Sequence, residues 1–190
     1  GIAGIAISML ACSYGFYGAT YQLTNEDIAV LEKDNASIES GALLPIAGKL
    51  FESDVEFKNN MNKILGKNYA KNEGVILEAA IEMNAMLVLL GVLGFIACFA
   101  FSLGPVMWVM LSELYPNRIR GLAIGCIGFV NSFTAWLVTQ LFPWELSNLG
   151  NAASFLIFGV IASVGFFILL KSLPETKGKT LEQIEAEFIK

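Results

Sequence analysis

Residues 83–112 read MNAMLVLLGVLGFIACFAFSLGPVMWVMLS, a run of 30 positions without a charged side chain. A transmembrane helix needs about 20 predominantly apolar residues to cross a hydrocarbon core about 30 Å thick. A continuous helix over this run would reach about 45 Å, more than a bilayer requires. Gly104-Pro105 interrupts it. Proline has no N–H, so the carbonyl of Phe101 would lose its helical partner. In lipid a freed carbonyl is tolerated only where protein or a wet cavity satisfies it again. Two readings of the break stand at this point: a packing kink, or the broken helix of a transport site.

Outward from this run lie three more charge-free stretches, at 1–25, 121–144 and 146–170. Spans are expected near Ile2–Thr20, Met83–Met110, Leu122–Phe142 and Ala152–Leu170, making an all-α membrane protein with four transmembrane helices. Residues 1–25 lack the basic lead of a signal peptide and are expected to open at the edge of a helix in a longer protein. Only 15% of the chain is charged and 55% is hydrophobic, where a soluble domain carries about 25% charge. Twelve basic against seventeen acidic residues argue against a nucleic-acid binder, and the absence of histidine excludes any site built on it. Cys12, Cys98 and Cys126 lie in apolar stretches without metal or disulfide spacing and are expected as buried thiols. With no nucleophile–base pair or metal cluster, neither an enzyme nor a cofactor is expected.

Four spans put both termini on one side. That side carries Arg118, Arg120, Lys171, Lys177, Lys179 and Lys190 against Glu113, Glu175, Glu182, Glu185 and Glu187, a net of +1; the other side carries −6. The positive-inside rule then sets both termini in the cytoplasm of a cell-membrane protein. The expected organisation is a helix over 1–21, an extracytoplasmic segment over 22–82 and a broken helix over 83–112. A cytoplasmic loop at 113–121, helices over 122–143 and 152–171, and a cytoplasmic tail helix over 172–190 follow. Residues 143–151 form the short outer loop.

The 22–82 segment is not low-complexity. Thr24-Asn25-Glu26-Asp27 reads as a helix start. Ser53-Asp54-Val55-Glu56 fits a capping box; Phe57, Met61, Ile64 and Leu65 follow at helical spacing, and Gly66 is a stop signal. Two short amphipathic helices are expected, with a solvated linker as the alternative. In the tail, Thr180 and Gln183 fit a second box, and Leu181, Ile184 and Phe188 share a face.

Gly104-Pro105-Val106-Met107-Trp108-Val109-Met110-Leu111-Ser112-Glu113-Leu114-Tyr115-Pro116, followed by Arg120-Gly121, resembles the tenth-helix signature of the sugar porter family of the major facilitator superfamily. Pro174-Glu175-Thr176-Lys177-Gly178 resembles the motif that ends that family's last helix. The resemblance covers residues 83–182 and is closest to bacterial pentose– and hexose–proton symporters; residues 1–21 fit the ninth helix by position and composition only. It implies the last four helices of a twelve-span carrier, part of its carboxyl-terminal six-helix bundle. Such a chain would work with the amino-terminal half of the same transporter in the lipid bilayer, on a monosaccharide and a proton. The alternatives are a facilitative sugar carrier without proton coupling, or a non-transporting four-span sensor or structural protein.

The resemblance also implies sugar-facing positions. Trp108 offers a stacking face and an indole donor, and Gly104, one turn earlier, lets a ligand approach the backbone. Phe99 matches a sugar-contacting position, although on a straight helix it lies roughly opposite Trp108. Asn131 matches an amide that bonds sugar hydroxyls. The residue after it is usually Trp and here is Ser132, a departure that leaves sugar identity open; Trp136 lies one turn further on. On residue chemistry alone, Trp108 is equally an interfacial anchor and Asn131 a helix–helix contact. Glu113, Arg120 and Glu175 match a cytoplasmic salt-bridge latch that closes one conformation. The Gly121/Gly125 pair, with Gly91, Gly94 and Gly128, permits close helix approach without marking a ligand. The four runs hold no carboxylate, so a proton-carrying acid is expected outside them.

Overall fold

The computed structural model describes residues 1–35, 38, 41–115 and 118–172, without the side chains of residues 34 and 112–114. The expected tail helix and Glu175 lie outside the described residues, and so does the side chain of Glu113. In chain order the elements are α1 (Ile2–Tyr17), β1 (Thr20–Tyr21), α2 (Asn25–Asp34), a 3₁₀ turn (Leu44–Ile46), α3 (Asp54–Leu65) and α4 (Lys67–Ala80). They continue with β2 (Ile81–Glu82), α5 (Ala85–Phe101), α6 (Leu103–Leu114), α7 (Arg120–Asn148) and α8 (Gly150–Ser172). Among the described residues three stretches are long and apolar enough to cross a membrane: Ala85–Leu111, Arg120–Asn148 and Gly150–Ser172. The first expected span is a shorter apolar helix of 16 residues.

The chain divides into two compact units. One holds Ala11–Leu89 and Glu145–Phe155. Its centre is the insert between α1 and α5, which folds as a small core rather than a solvated linker. Thr24 caps α2 as expected: the Asp27 N–H donates to its hydroxyl at 3.2 Å, and the Thr24 N–H donates back to the Asp27 carboxylate at 2.9 Å. Phe57 and Met61 of α3 are fully buried, with Ile64 and Leu65 packed against the same core. The ring of Phe57 stacks on Tyr21 at 5.5 Å and meets Phe51 edge-on at 5.5 Å. Gly66, at φ +53°, ends α3 and lets α4 start at once.

Two expectations for the insert are corrected, and one unforeseen element joins them. Ser53 stands at the N-cap of α3, but its side chain makes no capping bond. Among the described residues the insert has three α-helices, not two: α4 is the addition, and its buried stripe Tyr69, Asn72, Ile76 and Ala80 is broken by an amide. That amide is satisfied within its own helix, donating to the Asn68 carbonyl at 3.0 Å. A two-residue antiparallel ribbon pairs Thr20 with Glu82 and Tyr21 with Ile81. Tyr21 also exchanges two backbone bonds of 2.9 Å with Phe51 on its other edge. Strands this short carry no readable alternation.

The remainder of this unit joins helix ends. The Ser13 hydroxyl of α1 donates to the Ala152 carbonyl of α8 at 2.8 Å, and Phe16 stacks on Phe155 at 5.4 Å. A Cβ on Gly15 would lie 2.6 Å from a Val88 methyl, so α1 also runs close to the start of α5. Only Leu149 separates α7 from α8. The expected loop from Pro143 is instead helical up to Asn148, with the proline carried inside α7. Gly150 follows at φ +83° and makes the corner. A single lost N–H bond at Pro143 leaves fewer orphaned groups than a terminated helix would.

The other unit holds Gly1–Leu10, Leu90–Trp144 and the described residues from Leu156 onward. Gly94 sits against the Ser8 hydroxyl, 2.8 Å from where its Cβ would be, and Gly159 against Leu10. Gly4 meets the Cys98 thiol in the same way. Gly121, Gly125 and Gly128 have open space around them, so the expected glycine pair approaches no helix among the described residues. α7 buries none of its residues. The cysteines are free, but only Cys12 is buried: Cys98 is half-buried and Cys126 exposed, because α7 meets no neighbour there among the described residues.

Replacing Phe57 with Ala should remove about 3–5 kcal/mol from the insert's core. Hydrogen exchange of the α3 and α4 amides should then rise sharply. Wild-type amides already exchanging at free-peptide rates would contradict the core.

Candidate functional site

The turn between α5 and α6 falls on Ser102, at φ −132° and ψ −83°. Its N–H donates to the Phe99 carbonyl at 3.2 Å, three residues back instead of four. Its hydroxyl donates to the Cys98 carbonyl at 2.7 Å, supplying the partner that the displaced backbone no longer gives. The Ser102 carbonyl opens α6 by accepting from Val106 N at 3.0 Å.

The break therefore precedes Gly104-Pro105, where the sequence located it. Pro105 sits in the first turn of α6, a position whose N–H has no intrahelical acceptor in any case. Breaking upstream removes the clash of the proline ring with the preceding turn.

This arrangement decides which expected residues meet. Gly104 and Trp108 lie one turn apart on α6, hence on one face. A Cβ on Gly104 would lie 3.4 Å from the Phe99 carbonyl oxygen and 3.7 Å from its ring. The turn thus brings Phe99 beside Gly104, which a straight helix would not. Phe99 is 48% exposed and stacks at 6.2 Å on Phe95; Trp108 is 47% exposed. Asn131 is exposed on α7, and among the described residues no hydrogen bond or ring contact ties it to Trp108. Trp136 is also exposed and packs on Phe133 at 5.8 Å, leaving Asn131 outside the Phe133–Trp136 contact.

Arg120 donates from Nε to the Tyr115 carbonyl at 3.1 Å. Tyr115 is the C-cap of α6, so this guanidinium satisfies one of the carbonyls a helix end leaves open and closes the connection to α7. Sequence reasoning missed an open groove of about 470 Å³ along α7, lined by Gly121, Leu122, Gly125, Cys126, Phe129 and Val130. Its only forewarning was the small-residue spacing. The groove is apolar and offers no side chain that would bond a hydroxyl-rich ligand. Among the described residues no cluster of side chains is arranged to hold a metal ion.

The family model described as "Sugar (and other) transporter" matches residues 65–188. The chain is 36% identical over 107 residues to an arabinose-proton symporter of Bacillus subtilis, covering 56% of this chain and 23% of the relative. It is 38% identical over 111 residues to a D-xylose-proton symporter of Escherichia coli, covering 55% and 23%. It is 38% identical over 114 residues to the glucose transporter GlcP of Staphylococcus epidermidis, covering 60% and 26%. The chain thus spans about a quarter of the length of these curated relatives. No solved structure matches it.

Ser102→Ala should leave the Cys98 carbonyl unpartnered and lower stability by about 1–3 kcal/mol. Ser102→Thr, which keeps the hydroxyl, should recover most of it. Thermal unfolding of the full-length protein in detergent checks both; equal melting temperatures for Ala and Thr would remove the hydroxyl from the account.

Proposed function

The chain belongs to the sugar transporter family, and from that premise we propose that it is the carboxyl-terminal portion of a monosaccharide carrier of the cell membrane. The carrier works by alternating access together with its amino-terminal half. Both termini of this portion face the cytoplasm, in keeping with the loop charges. Two relatives carry proton symport in their names, which supports coupling to a proton. The four apolar runs hold no carboxylate, so the acid that moves the proton belongs to the rest of the carrier.

The reading is carried by the recapped break at Ser102. It starts α6 with Gly104 and Trp108 on one face and leaves Phe99 beside Gly104. Aromatic faces next to a side-chain-free stretch of backbone suit a sugar, which is apolar on its C–H face and polar at its edges. Trp108 stacks on the ring, Gly104 admits it to the backbone, Phe99 completes the apolar wall and Asn131 bonds hydroxyls from α7. Glu113, Arg120 and Glu175 form the cytoplasmic latch. Arg120 already bonds the Tyr115 carbonyl through Nε, so in this reading its two terminal guanidinium nitrogens are the ones that meet the latch carboxylates.

Trp108→Ala should cost about 2 kcal/mol of binding, roughly a thirtyfold loss of affinity. Asn131→Ala should cost less, about 1–2 kcal/mol, because its hydrogen bonds partly exchange with water. Equilibrium binding to the full-length protein across pentoses and hexoses is the assay. Unchanged affinity for every sugar in a folded Trp108→Ala protein would remove α6 from the site. Replacing Glu113 or Arg120 should instead slow uptake while leaving binding intact, since a latch biases a conformational equilibrium without touching ligand. Wild-type uptake rates in both variants would leave these charges a role in topology alone.

A further inference from the structure

Asp54 is buried at the first turn of α3, yet its carboxylate is directed at another element. It accepts from the Asn151 N–H of α8 at 2.8 Å, across 97 residues of sequence. Gly150, the first residue of α8, comes so close that a Cβ there would run into the same carboxylate, and its φ of +83° already favours glycine. One acid therefore stands at the amino-terminal ends of two helices, where the exposed N–H groups and the helix dipoles both favour negative charge. The Tyr21 phenol is pushed up to about 12, first by burial and then by the charge of Asp54.

The contact has company. The β1–β2 ribbon begins three residues after α1 and ends three residues before α5, so it ties those two helix ends together. Ser13 and Phe16 tie α1 to α8. The insert, these ends and the α7–α8 corner make up a single compact unit. We infer that the insert is a clamp: it binds the adjoining ends of α1, α5, α7 and α8 into one body, with Asp54 on the α8 amino terminus as its fastener. The clamp fixes these ends relative to one another whatever the cargo, so it stands apart from the identity of the sugar.

The test uses the full-length membrane protein in lipid nanodiscs. Asp54→Ala should speed exchange of the Asn151 amide by about tenfold or more, while the amides of Phe57 and Met61 stay protected. Spin labels at Asn59 and Leu149 should give a narrow distance distribution in wild type and a broad one in Asp54→Ala. Asp54→Asn keeps an acceptor without the charge and should fall between. If Asp54→Ala also loses protection at Phe57, Gly150→Ala decides, because it disturbs the same contact with Asp54 and the insert's core intact. Unchanged Asn151 exchange and an unchanged distance distribution in Gly150→Ala, or a broad distribution already in wild type, would overturn the clamp.

Discussion

A backbone threaded through apolar surroundings has to satisfy its own N–H and C=O groups, because neither lipid nor an apolar core supplies partners. Much of this architecture follows from that. The long apolar runs are helical along almost their whole length, and where α5 gives way to α6 the Ser102 hydroxyl takes over the Cys98 carbonyl at once. Thr134, Thr139 and Ser163 likewise return their hydroxyls to carbonyls four residues back at 2.8 Å, so these three hydroxyls are satisfied within their own helices. The same constraint carries α7 through Pro143 and leaves a single residue between α7 and α8.

The insert obeys a different balance. Its helices are short and half polar, and their stability comes from the face they bury together. Phe57, Phe51 and Tyr21 interlock at centroid distances of 5.5 Å, and α4 is fixed by what its buried side packs on and not by its own pattern. The Lys58–Glu73 pair joins α3 and α4 at 3.6 Å, with the glutamate well exposed, so it adds little beside that core. An organised core of this kind gives Asp54 a rigid mount, which a flexible linker would not.

Much was legible in advance because it depends on neighbours in the chain. The Thr24 cap, the Phe57–Met61–Ile64–Leu65 stripe and the Gly66 stop are local patterns, and the structure has all three. The Gly104–Trp108 face was legible for the same reason, since four residues on a helix fix their own alignment. The Ser53 box failed because a serine at an N-cap is only an opportunity for a bond. The break was misplaced by a few residues because proline forbids a helical bond without dictating where the chain will turn. The buried state expected of Cys98 and Cys126 failed because apolar sequence does not say which apolar surface is covered.

The sequence by itself determined the class of protein, the number of long apolar helices within one, and the motifs that tie the chain to its family, because hydrophobic run length, capping chemistry and signature spacing are properties of consecutive residues. Only the tertiary structure decided that Phe99 lies beside Gly104, that Tyr21 is paired on both edges by segments 30 and more residues away, and that Asp54 reaches the start of α8. Those facts depend on which distant surfaces meet. That is set by how shapes fill a core and by which helix end a buried charge can reach, and no local pattern encodes either.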